Sequence, residues 1–185
     1  SGYDIDNSCK FEYDNAEWLT RTPSANGNRQ QFTISLWCKR NEIGSTYMTL
    51  AGAQPSSGYS NANTFQFCFL PNGKIGVGLQ TYWVLQSKRV FRDTAAWYHI
   101  VVRVDTTQAS ASNRVRIYIN GEEETDWTTD ARSSVAQNDH LGWNHVTRHQ
   151  IGTLIANSWK FSGYIAEFHN IDGQSLPPTA FGKFN

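Results

Sequence analysis

Apolar and polar residues alternate strictly along this chain, segment after segment, and a period of two can bury one face only if the segments are strands. In FTISLWCKR the residues Phe32, Ile34, Leu36 and Cys38 share one face, with Thr33, Ser35, Trp37 and Lys39 on the other. WYHIVVRVD does the same with Tyr98, Ile100, Val102 and Val104, and RVRIYI with Val115, Ile117 and Ile119. FSGYIAEFHNID reads as a further strand, with a shorter candidate before it around residues 151–155. SCKFEY and EWLTR read as an opening hairpin.

The punctuation fits. Phe65, Phe67 and Phe69 are separated from Ile75, Val77 and Leu79 by Asn72-Gly73, and Ile119 is followed by Asn120-Gly121. Asn-Gly accepts the two positive φ angles of a tight hairpin turn. No window of a dozen residues carries a helical stripe, and SLPPTAFGKF near the end allows one short helical turn. Regularly spaced strands of this kind predict an all-β, two-sheet antiparallel jelly-roll sandwich, formed as one domain over residues 1–185. The segments SANGNRQ, AQPSSGYSNAN, DTTQASASN and DARSSVAQNDHLGWNHVTRHQ then become loops. The last is too long for a simple hairpin connection, and long loops on a rigid sandwich are where binding residues gather.

Sixteen basic residues balance sixteen acidic ones, so no long-range field draws the chain to nucleic acid or anionic lipid. No stretch reaches the eighteen or so apolar residues of a membrane span. A chain this long builds a core without disulfide staples, so Cys9, Cys38 and Cys68 are expected as three reduced, buried thiols of a protein made in a reducing compartment. A Cys38–Cys68 bridge would require a geometry that sequence does not reveal.

Few residues suggest catalysis. A glycosidase needs two carboxylates roughly 5 to 10 Å apart across a cleft. The acidic cluster Glu122, Glu123, Glu124 and Asp126 follows a tight turn, where charges are solvated, and Glu167 stands alone. No nucleophile elbow or phosphate loop is present, and no catalytic residue is assigned. His145 and His149 have the i, i+4 spacing of a helical zinc site, but nothing nearby is helical, so no metal ligand is assigned among them or His140.

Aromatic residues near loops are more informative: Tyr82 and Trp83, Trp127, Trp143 and Trp159. Sugar rings stack their C–H faces on aromatic faces, while their hydroxyls need amides and carboxylates alongside. Trp143 with Asn144, Asp139, Asn138 and His145 offers that combination within the longest loop, and Tyr82 with Trp83 is the next choice. The competing role for Trp143 is to cap the end of the core. Trp37 and Trp97 are assigned to packing.

The stretches LTRTPSANGNRQQFTISLWCKR, VFRDTAAWYHIVVRVDTTQASASNRVRIYING and FSGYIAEFHNIDGQSLPPTAFGKF together resemble the laminin-G-like, concanavalin A-like jelly rolls of tailed-bacteriophage structural proteins, many of them marine. The resemblance implies a virion protein such as a tail fibre or capsid appendage, assembled in the host cytoplasm. Its partner would be a cell-surface glycan or a neighbouring virion subunit, with homo-oligomers an option. A decoration or oligomerisation domain without a glycan ligand is the alternative, and a polysaccharide-degrading enzyme comes third. Many relatives carry an Asp in the last strand near a structural calcium. Here Ala166 occupies that place in GYIAEF, so no calcium or other cofactor is assigned.

Overall fold

The computed structural model describes residues 6–15, 17–154 and 158–182. Thirteen strands run in chain order: β1 Cys9–Phe11, β2 Leu19–Arg21, β3 Gln31–Arg40, β4 Met48–Ala53, β5 Phe65–Phe69, β6 Ile75–Gly78 and β7 Trp83–Ser87. They continue as β8 Tyr98–Asp105, β9 Val115–Ile119, β10 Glu122–Glu123, β11 Trp127–Asp130, β12 His149–Ile151 and β13 Gly163–Asp172. All pairings are antiparallel. One sheet has six strands in the order β1-β13-β3-β8-β9-β10, and the other has seven in the order β11-β7-β6-β5-β4-β12-β2. Among the described residues helix is confined to three short 3-10 turns, one of them Pro178–Ala180, and no helix is long and apolar enough to cross a membrane. This is the two-sheet sandwich that the alternation predicts.

The inward parity is the expected one. Phe32, Ile34 and Leu36 of β3, Ile100, Val102 and Val104 of β8, and Phe65, Phe67, Ile75 and Val77 from the facing sheet are all fully buried. Phe32 and Phe65 meet edge to face across the sheets, at 5.6 Å. Asn120 and Gly121 both take positive φ (52° and 86°) between β9 and β10, as a type I′ turn requires. The Asn72-Gly73 turn is different: Gly73 has φ 78° but Asn72 has no positive φ. Pro71 explains this. Its ring holds φ near −65°, so residues 70–73 form an ordinary turn closed by Gly73 N–H to the Leu70 carbonyl, and only Gly73 enters the left-handed region.

Four other expectations need correction. The opening hairpin does not form, because β1 pairs with β13 in one sheet and β2 with β12 in the other. Each is instead the edge strand of its own sheet, β1 beside β13 and β2 beside β12. The short strand before β13 lies earlier than expected, at His149–Ile151, with Ile155 outside the described residues, as are residues 183 and 184 of the tail. Trp37 lies on the outer face of the six-stranded sheet against His99, and Trp97 precedes β8 and meets Tyr164; both stay partly exposed. Cys9 is exposed.

The remaining cysteines are buried and unbridged. Cys38 joins the core between the sheets. Cys68, on β5 between the inward-facing Phe67 and Phe69, points to the opposite face of its own sheet, so the two cannot bridge. Burial pushes the Cys38 thiol up to about 12 and raises Cys68 as well. A thiol reagent should therefore modify Cys9 alone in native protein and all three thiols after denaturation. Finding a single thiol in the denatured chain would show a bridge.

The two outer sheet faces are treated differently. Residues 174–181 run across the six-stranded sheet: Thr33 Oγ1 donates to the Gln174 carbonyl and accepts from Leu176 N–H, and Arg103 Nη2 donates to the Ser175 carbonyl. Phe181 lies between His99 and His169, at 6.3 and 5.8 Å. The outward residues Thr33, Ser35 and His99 are buried as a result. The outer face of the seven-stranded sheet is covered instead by Leu154, which lies over Gly52, and by the rings of Tyr47, Trp83 and Trp159.

Candidate functional site

The six residues selected from the sequence fall in separate places. Trp143 is only 3% exposed; its indole meets Phe65, His149 and Phe168, and Nε1 donates to Asn170 Oδ1 at 3.0 Å. Asn144, at φ 61°, donates through Nδ2 to the Asn28 carbonyl and to Asp172 Oδ1, and its Oδ1 accepts from Asn170 Nδ2. Its backbone N–H donates to His149 Nε2 and its carbonyl accepts from Gly27 N–H. Both residues thus tie the long loop to residues 26–31 and to β13. They form part of the wall of a groove of about 210 Å³, together with Leu19, Pro23, Ile151 and Phe168.

His149 Nδ1 lies 2.8 Å from the Thr147 carbonyl. With Nε2 accepting a backbone N–H, this is the neutral imidazole, in keeping with a pKa held below the ordinary value by burial. His145 is also lowered, by burial and then by the charge of Arg29. Among the described residues no three His, Cys, Asp or Glu side chains are placed to hold a metal ion.

Asp139 and Tyr82 do come together. They line a rim cavity of about 170 Å³ with Asn61 and His140. Tyr82 donates its hydroxyl to the Ser134 carbonyl and packs against the core; burial, then the nearby Asp139, raises its pKa.

Trp83 turns the other way. It opposes Gly78 across β6 and β7, and a Cβ on either Gly76 or Gly78 would come within 2.9 Å of its ring. The indole therefore lies over a bed of two glycines on the outer face of the seven-stranded sheet. Tyr47 stacks near it at 5.6 Å, Trp159 lies 4.2 Å from Tyr47 and 6.4 Å from Trp83, and the three planes agree within 25°. At 4.2 Å with near-parallel planes, Tyr47 and Trp159 overlap face to face, and Trp83 stacks offset beside them. Trp159 is held there by its carbonyl, which accepts Thr49 N–H of β4 at 3.2 Å.

Cross-strand register defines what lies around the rings. Thr49, Cys68, Gly76 and Gln86 form one row, and Gln150, Gly52, Gln66 and Gly78 the next. Thr49 and Cys68 have no exposure although no second sheet covers this face. In the adjoining row Gln66 and Gln150 are buried and Leu154 covers Gly52, so what this face offers is the half-buried rings with the partly exposed Gln86 amide nearby, and exposed ring surface is what a pyranose can stack upon.

The sequence singled out Trp83 as a second choice and noted Trp159 without selecting it. Tyr47 was missed because GSTYMTL shows no alternation before β4 begins. The signal that was available is parity: Trp83 shares the outward face with Gly76 and Gly78, and Tyr82 does not.

A laminin G model of the concanavalin A-like lectin/glucanases superfamily matches residues 14–174. No curated protein matches the chain by sequence. Among solved structures, the heptameric SAP-like pentraxin of Limulus polyphemus is 15% identical with a TM-score of 0.58, over 90% of this chain and 76% of that one. The CBM40 of the Ruminococcus gnavus IT-sialidase is 12% identical with a TM-score of 0.59, over 88% of this chain and 95% of that one. NanB sialidase of Streptococcus pneumoniae (its K499G mutant) is 16% identical with a TM-score of 0.59, over 96% of this chain but 27% of that one. At these identities the likeness is one of fold, and the family match over most of the length decides the rest: the chain belongs to the concanavalin A-like lectin/glucanases superfamily.

Proposed function

We propose that this protein is a non-catalytic glycan-binding module, acting as one unit over the whole chain, and that its ligand surface is the outer face of the seven-stranded sheet. The observation that carries this reading is the cluster of three near-parallel, half-buried rings, Tyr47, Trp83 and Trp159, of which Trp83 lies over Gly76 and Gly78. Support comes from a structural neighbour, the Ruminococcus gnavus CBM40, solved bound to α2,3-sialyllactose. The phage-type stretches support a place on a virion, as a tail-fibre or capsid appendage attaching to a cell-surface glycan. A gene lying outside any tail or capsid cluster would argue against that setting.

On a glycan array, Trp83→Ala and Trp159→Ala should each weaken the bound glycan by about tenfold, the loss of roughly 1.4 kcal/mol of stacking, with unchanged circular dichroism. Full binding by both variants would move the site away from this face. Release of reducing ends from a bound polysaccharide would make the protein an enzyme.

A further inference from the structure

We infer that two copies of this chain join through β2, edge to edge, so that their seven-stranded sheets run on into one. β2 closes one end of that sheet and pairs only with β12. The direction of its backbone groups follows from the next strand. Gln54 N–H donates to the Arg148 carbonyl and Gly152 N–H to that of Leu50, so alternation turns Arg148, Gln150 and Gly152 towards β4 and turns His149 and Ile151 towards β2. Their partners Arg21 and Leu19 are thereby satisfied. The N–H and carbonyl of Thr20 then point out along the free edge, where no described residue meets them.

The other three edge strands are blunted. β10 consists of two glutamates, β11 carries a bulge between Trp127 and Thr129, and β1 places Lys10 at its centre. β2 has no bulge, and its Leu19, at 52%, is the most exposed large apolar side chain among the described residues. Leu19 stands opposite Ile151 and, with it and Phe168, lines both grooves at this side of the sandwich, of about 210 and 220 Å³.

The charges select a second copy as the occupant. In Glu17-Trp18-Leu19-Thr20-Arg21, a two-fold axis through Leu19 sets two antiparallel strands with Leu19 against the partner's Leu19, which takes this apolar edge out of water. Thr20 then faces the partner's Trp18 at positions whose backbone groups point outward, so the strands can exchange hydrogen bonds. Glu17 faces the partner's Arg21, and Arg21 the partner's Glu17, at the non-hydrogen-bonded sites where side chains lie closest. One Glu17 oxygen already accepts Glu12 N–H at 2.8 Å, which holds the side chain and leaves the other oxygen for a guanidinium. Centring the axis on Thr20 instead would set Leu19 against the partner's Arg21 and lose both ion pairs. The axis is perpendicular to the sheet, so the outer faces of both copies, with their Trp83 rings, lie on one side. The dimer itself does not depend on what those faces bind.

Sedimentation velocity across micromolar concentrations tests the inference, with circular dichroism to check the fold of each variant. Wild-type protein should dimerise. Glu17→Arg and Arg21→Glu should each raise the dissociation constant about tenfold or more, because either one sets two like-charged pairs across the axis. The double variant restores both pairs with their signs exchanged and should dimerise better than either single one. A wild-type monomer at every concentration overturns the inference, and so does a dimer that Arg21→Glu leaves as tight as before. A double variant no tighter than the single ones overturns the register.

Discussion

Replacing Trp143 by Ala should lower the free energy of unfolding by about 3 to 5 kcal/mol, the range for truncating a buried large aromatic. The indole is enclosed by Phe65, Phe168 and His149. The change would also leave Asn170 Oδ1 without the donor it has now, which adds about 1 kcal/mol or more. Urea titration of wild type and variant measures the effect as a shift in midpoint at unchanged slope. The same substitution should not act through direct ring contact with a glycan, because the ring has almost no exposed face. A loss under about 1 kcal/mol would overturn the capping role and return the long loop to consideration as a platform.

Acidification should destabilise the fold over a defined window. His99 is 1% exposed, with Ser35 Oγ 2.9 Å from Nε2. Burial, and then the charge of His169, lowers its pKa from 6.5 to about 4. The folded imidazole therefore binds a proton less readily than the unfolded one. Its contribution is fully retained above the unfolded value and is lost as pH falls from about 6.5 towards 4, up to about 3 kcal/mol at 1.36 kcal/mol per pKa unit. His145 and His149 act in the same direction. Asp105 and Asp130 have pKa values below the ordinary one, so their losses begin at lower pH. Urea unfolding at about pH 7 and about pH 4.5 should show the decline, and His99→Gln should flatten most of it. An equally steep decline in the variant would assign the effect elsewhere.

What could be read from the chain depended on periodicity. Inside strands the side-chain direction follows from position, so the core, from Phe32 to Val104, was legible along with both sheets and the Asn120-Gly121 turn. The long loop has no period, so nothing in LGWNHV distinguishes an indole on the surface from one under Phe65. Its fate depends on Gly142, where a Cβ would come within 2.4 Å of the Thr64 backbone. That close approach draws the loop onto the end of the sandwich and carries Trp143 inside. The aromatic patch was hidden for a different reason. Tyr47, Trp83 and Trp159 are far apart in sequence, and only the order of β4, β5, β6 and β7 brings them together. β1 and β2 misled because local pattern indicates strand without indicating which sheet receives it.

The glycine bed under Trp83 has a consequence for how such a protein can change. Height and tilt of the Trp83 ring are set by bare backbone at Gly76 and Gly78, while cohesion of the sandwich comes from Ile75 and Val77 on the reverse side of the same strand. Adjacent positions thus serve two independent programmes, one preserving the scaffold and the other facing outward. Tyr47, Gln86 or Trp159 could be exchanged without disturbing the interior. Substituting either glycine would instead displace Trp83, so variation should accumulate around the bed while the bed itself stays bare.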